Sequence, residues 1–331
     1  LFKDFTPNPR TEAYDDQGHG THTAGSIAGG EGVGVAPGAR LIVGKIFDKS
    51  GGAEDAGLLL SMQWVMDPDG NPETNDGPAL VSNSWGSDDT TDRNFWDAVK
   101  AWENAGILPV FAAGNSGPSG KVGTPGNFPH SWAVAATSNK DTLAYFSSVG
   151  PTIWDGVTLV KPDIAAPGAG VISCAVGGGL VSNSGTSMAC PHVAGLAALM
   201  LQAKPGISLV EMRIVAEETA IDLGTPGKDN KFGGGRFDAF VCIKKILDNA
   251  NLPTAFLAYE ATLKTESALI GVQANSPLAA PLARSLVIRA QQLDEGEFRS
   301  LSAEVRSNCG KAACQVLDEA SAARTGNALN R

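Results

Sequence analysis

Three short segments of this chain carry residue types that could do chemistry together. They are His19-Gly20-Thr21-His22, Ala112-Ala113-Gly114-Asn115 and Gly185-Thr186-Ser187-Met188-Ala189. A serine hydroxyl is a weak nucleophile until a base takes its proton, and the base needs a third group to fix its tautomer. Ser187 and His19 supply nucleophile and base. Asn115 follows small residues that let a substrate approach closely, so its amide can donate to an oxyanion alongside the Ser187 N–H. The chemistry is attack on an acyl carbon. The order excludes an α/β-hydrolase esterase, which runs serine, acid, histidine, because the only histidine after Ser187 is His192, on the same helix. A helix expected over 187–204 turns its positive end toward the developing charge, with Pro191 expected in its first turn.

These segments resemble the subtilisin-like serine proteases. Val33-Gly34-Val35-Ala36-Pro37, Asn83-Ser84-Trp85-Gly86, Phe146 to Pro151 and Lys161 to Gly168 agree with that family. Trp64 to Trp85 and Phe95 to Gly106 look most like its secreted bacillopeptidase F group. The match runs over roughly residues 1–248. The resemblance implies His19 as base, Ser187 as nucleophile and Asn115 as oxyanion donor, with Thr186 as a weaker donor. It implies that Ser84, Trp85 and Gly86, with Gly51 and Gly52, sandwich an extended peptide as an added strand. Gly123 and Thr124 match the floor of the primary pocket, beside Ala113 and Gly114, and a cis Thr124–Pro125 bond is expected there. A glycine floor with no charge nearby implies a roomy apolar pocket. The implied activity is a secreted serine endopeptidase working through an acyl-enzyme; a subtilase-like scaffold that binds peptides without cutting them is the alternative.

The family's acid lies on a strand well before the base, in an Asp-Thr/Ser-Gly turn, and only eighteen residues precede His19. Asp4 falls where the family has a later strand, and Asp15 and Asp16 adjoin the helix that His19 opens, where capping is their expected role. The chain therefore reads as a fragment whose missing front held the Asp, on a strand that is central in the family's sheet; a propeptide or N-terminal segment is the expected partner.

Strand and helix signals alternate: 41–46 strand, 58–65 helix, 79–81 strand, 94–105 helix, then strands at 107–112 and 132–136. This is an α/β pattern, and the resemblance makes it a three-layer α/β/α fold with a mostly parallel sheet. Past residue 248 the pattern changes. Leu282, Leu286, Ala290 and Leu293, then Phe298, Leu301 and Val305, recur at helical intervals, so 249–331 is expected to be a helical appendage or tail, separate from a peptidase domain at 1–248.

The 331 residues carry a formal charge of −10 and no basic run, which argues against nucleic acid. No apolar run has membrane-spanning length; 188–200 reads as a buried core helix. Five cysteines are too scattered for a disulfide framework or a zinc site; Cys190 reads as a buried inert thiol, and Cys309 and Cys314 could pair. His22 and His192 are expected to be structural and His130 solvated. The chemistry needs no cofactor. Asp67, Asp69, Asn71 and Glu73 offer oxygen ligands at alternating positions, so that stretch is either a calcium loop or a solvated polar one.

Overall fold

A computed structural model describes residues 1–248. The expected helices at 282–305, the tail as a domain, and Cys309 and Cys314 lie outside these residues.

Four strands form the central parallel sheet, in the order β3 (Leu80–Asn83), β4 (Leu108–Ala112), β5 (Trp132–Thr137) and β8 (Ile164–Pro167). β4 and β5 are buried at every residue, as strands covered on both faces must be. β1 (Phe2–Asp4) and β2 (Val43–Lys45) make a separate parallel pair. Hairpins β6–β7 (Thr152–Trp154, Val157–Leu159) and β9–β10 (Val171–Cys174, Leu180–Asn183) complete the strands.

Helix α4 (Thr186–Ala203) packs across β3, β4, β5 and β8 and against α1 (His19–Ala28) and α6 (Ala239–Asp248). Its run of small and apolar residues is buried almost throughout, as expected for 188–200. α2 (Asp55–Trp64) meets α3 (Trp96–Asn104), whose Trp102 stacks on Phe111 of β4. α5 (Leu209–Glu218) packs on α6. The fold is the expected three-layer α/β/α arrangement.

The parallel strands fall into two groups, and the break is informative. Among the described residues β2 pairs only with β1, and β3 only with β4. The residues beside these open edges are poorly covered: Val43 is 38% exposed and Leu80, Val81 and Ser82 are half-buried, whereas Leu108, Val110 and Phe111 are at 0%.

Two expectations need correction. Pro191 sits in the second turn of α4, because the helix begins at Thr186. His130 is not solvated: it is half-buried, tilted on Trp96 and bonded to Glu103, which also pairs with Arg213 at 3.2 Å. A histidine in a Pro-flanked loop gave no hint of partners contributed by two distant helices.

Candidate active site

His19 and Ser187 both stand at helix N-termini because short polar and glycine-rich turns precede them. Asp15 builds the first of these. Its carboxylate accepts from the N–H groups of Gln17, Gly18 and Thr21 and from the Thr21 hydroxyl. Burial alone would raise the Asp15 carboxyl, but the bonds from Gly18, Thr21 and Gln17 outweigh it and hold it at about 2. Asp15 is thus the expected cap of α1. Asp16 pairs with Lys45 at 2.8 Å, and Asp4 accepts from Thr6 N–H, Arg10 N–H and the Tyr14 hydroxyl. Among the described residues no carboxylate hydrogen-bonds the His19 ring. Burial, then the neighbouring His22, hold the His19 pKa below its ordinary value, with Asp15 pulling weakly the other way.

His22 explains how α1 is held beside the nucleophile. It is fully buried, and its Nε2 lies 3.1 Å from the Val171 carbonyl and 3.2 Å from that of Val181, bridging both strands of the β9–β10 hairpin that leads to Ser187. Its own carbonyl accepts from the Ser173 hydroxyl. His192 Nδ1 lies 2.7 Å from the Met188 carbonyl within α4, so both histidines are structural, as expected.

At Ser187 the hydroxyl donates to the Ser84 carbonyl at 3.2 Å, while the Ser84 hydroxyl donates to the Ser187 carbonyl at 2.7 Å. Pro191 is the reason for the second bond. Four residues after Ser187 it has no N–H, so the Ser187 carbonyl lacks its helical donor and takes one from Ser84. Replacing Ser84 by alanine should therefore lower stability by about 1–2 kcal/mol, read from the urea midpoint at unchanged m-value.

Asn115 is oriented by Thr186. Its Oδ1 accepts from the Thr186 N–H at 2.8 Å and from the Thr186 hydroxyl at 3.0 Å, which leaves Nδ2 free to donate. A Cβ placed on Gly185 would lie 3.6 Å from Ser187 N and 3.7 Å from Asn115 Nδ2, so both nitrogens flank that glycine. The Thr186 hydroxyl is occupied, donating to Asn115 and accepting from Gly114 N–H at 3.2 Å. It holds the oxyanion donor in place instead of acting as one.

The residues expected to bind a peptide separate into two kinds. Gly86 has neither backbone group engaged among the described residues, and a Cβ there would meet the Thr124 carbonyl at 2.6 Å. The others support it. Trp85 donates to Asn83 Oδ1 and packs edge-on against Phe95 and Phe111. Ala113, Gly114 and Gly123 have their N–H and carbonyl groups bonded within the scaffold, and a Cβ on Gly123 would strike the Ser87 carbonyl at 2.4 Å. Gly52 is turned inward too, exchanging bonds with Asp48, while the Gly51 N–H goes to the Asp48 carbonyl and leaves its own carbonyl open. Thr124–Pro125 is cis as expected, as are Gly150–Pro151 and Lys161–Pro162.

Ser187 and His19 thus stand at the starts of two packed helices, with the Asn115 amide held by Thr186 and the Gly86 backbone unengaged among the described residues; the Ser187 hydroxyl rests on the Ser84 carbonyl and not on the His19 ring. A model of the subtilase family matches residues 3–235. This chain belongs to the subtilase family. Bacillopeptidase F of Bacillus subtilis (strain 168) is 38% identical over 253 residues, which is 71% of this chain and 17% of that protein. Alkaline elastase YaB of Bacillus sp. (strain YaB) is 37% identical, covering 68% of this chain and 55% of the relative. Subtilisin Savinase of Lederbergia lenta is 35% identical over 71% of this chain and 80% of its own length. The subtilase's chain thus spans only part of the first two relatives.

Elsewhere, Cys190 is the inert thiol expected: fully buried, with burial pushing it up to about 11. The acidic loop brings carboxylate oxygens of Asp67, Asp69 and Asp76 within 4.8 Å of one another. Glu73 is not in the group, and Asn71 Oδ1 is turned to the Glu73 N–H. Alternation along the sequence missed Asp76 because the loop folds back, with Asp76 accepting from Asp69 N–H. No helix among the described residues is long and apolar enough to cross a membrane.

Proposed function

We propose that the protein is a serine endopeptidase. Ser187 attacks the scissile carbonyl, His19 takes its proton and returns it to the leaving amine, and Asn115 Nδ2 with the Ser187 N–H stabilises the oxyanion. The observation that carries this is the placement of both nitrogens beside Gly185, with Thr186 fixing the amide. The substrate is an unfolded or extended protein segment pairing along Gly86. Among the described residues no carboxylate reaches the His19 ring, and the edges of β2 and β3 left unpaired there are where an acid-bearing strand would fit. The peptidase domain is 1–248, and the family resemblance carries secretion. Calcium in the Asp67, Asp69 and Asp76 loop would add stability without entering the chemistry.

A peptide-binding scaffold without catalysis is the second reading, favoured by the lack of a carboxylate on His19 among the described residues. The preserved oxyanion geometry favours the enzyme. A fluorophosphonate decides between them: the full-length protein should be labelled at Ser187 and its Ser187→Ala variant not at all. Resistance of the wild type to label would establish the scaffold.

A further inference from the structure

A carboxylate lies beside the segments expected to form the primary pocket. Asp88 follows the Ser84–Gly86 wall, and its Oδ1 accepts from the Ser116 hydroxyl at 2.7 Å. Ser116 directly follows Asn115 on the opposite wall. The two walls are closed beneath by the paired backbones of Ser87 and Thr124, and the Asp88 Cα lies 3.9 Å from a Cβ placed on Gly123. Asp88 therefore ties the segment after Gly86 to the segment after Asn115, beside Gly123.

Its charge is not neutralised. Among the described residues no lysine or arginine pairs with it. The nearest basic residue in sequence, Arg93, pairs with Asp155 at 2.7 Å and lies over the Trp154 ring. Lys121 on the floor segment donates to the Gly150 carbonyl. The other acids of the loop turn to their own backbones: Asp89 accepts from Thr91 and Asp92 from Asn94. Asp88 is exposed and has one donor, so most of its acceptor capacity is open to a ligand.

We propose that Asp88 makes the cleft prefer lysine or arginine as the residue on the acyl side of the cleaved bond, a specificity that rests on the peptidase reading above. A long basic side chain lying between the two walls would bring its cation to this carboxylate while its methylenes cover the apolar stretch.

The test compares two peptide p-nitroanilides that differ only in that residue, lysine against norleucine, whose side chain has lysine's stem without the ammonium. In the full-length protein kcat/KM should favour lysine about fivefold, the upper range for a solvent-accessible pair, and 1 M NaCl should erase most of this. Asp88→Asn keeps the Ser116 acceptor and removes only the charge; it should bring the ratio close to one with norleucine turnover unchanged. A wild-type ratio of one or less, or a lysine preference that survives Asp88→Asn, overturns the proposal. Binding of the corresponding peptide amides to Ser187→Ala, measured by calorimetry, separates it from the peptidase reading. Lysine-dependent binding lost with Asp88→Asn supports the charge even if neither anilide is cleaved, and equal binding of both peptides refutes it.

Discussion

Supplying this chain with a peptide that carries the family's Asp-Thr/Ser-Gly strand should restore both its fold and its peptidase activity, whereas the same peptide with Asp→Asn should restore the fold alone. The structural ground is twofold. Among the described residues β2 and β3 each leave one edge unpaired, so a peptide strand lying between them would gain parallel partners, and each buried backbone group it satisfies removes a penalty of about 1–3 kcal/mol. Three of the four acids that precede His19 are engaged elsewhere, Asp4 with Thr6, Arg10 and Tyr14, Asp15 with the start of α1 and Asp16 with Lys45, and the fourth, the exposed Glu12, makes no hydrogen bond to the His19 ring. The Asn peptide should leave turnover lower by about 3 × 10⁴, a figure carried over from a subtilisin and not obtained from this geometry. The pH profile gives a second readout. Chemistry requires neutral His19, whose pKa burial and His22 already depress. A carboxylate on its ring favours the imidazolium and raises that pKa, so the acid limb of kcat/KM should lie lower with the Asn peptide than with the Asp peptide. Circular dichroism reports folding, and steady-state cleavage of a casein substrate reports activity. Full activity from the unsupplemented chain would mean that one of its own acids completes the triad.

Asn115→Ala should reduce kcat by about 10²–10³ with KM little changed, again a range carried over from a subtilisin. The reasoning specific to this chain is that Thr186 uses both of its contacts to aim one amide. Removing the amide leaves the Thr186 N–H and hydroxyl without their acceptor, so Thr186→Val should imitate part of the loss by letting Asn115 rotate. Because a donor to the transition state differs from one that binds substrate, the effect belongs in kcat. An equal rise in KM with kcat intact would place Asn115 in substrate binding instead.

The candidate catalytic residues were legible in the sequence because each sits in a short local motif whose chemistry is carried by its own residue types. It also revealed β4, β5 and α4, where long runs of small and apolar residues are buried on every side. What it hid were roles created by distant backbone. Thr186 looked like a donor until the Asn115 Oδ1 was found on its hydroxyl. Gly123 looked like an open floor, yet the Ser87 carbonyl fills the space where its side chain would point. The Ser84 hydroxyl was legible in principle, since a proline four residues after Ser187 announces an orphaned carbonyl, but nothing local says which side chain will answer it. Asp76 and Asp88 act across folded loops, beyond the reach of periodicity.

The bare edges of β2 and β3 also bear on how this polypeptide behaves in concentrated solution. Unpaired N–H and carbonyl groups along a strand form a template for any extended chain, and β3 carries no lysine, proline or other charge that would deter a wrong partner. β2 has Lys45, but that ammonium is already tied to Asp16 and the Phe47 carbonyl. Wherever these edges are left uncovered, the polypeptide should therefore oligomerise edge to edge, and any strand that covers them would act as a solubiliser.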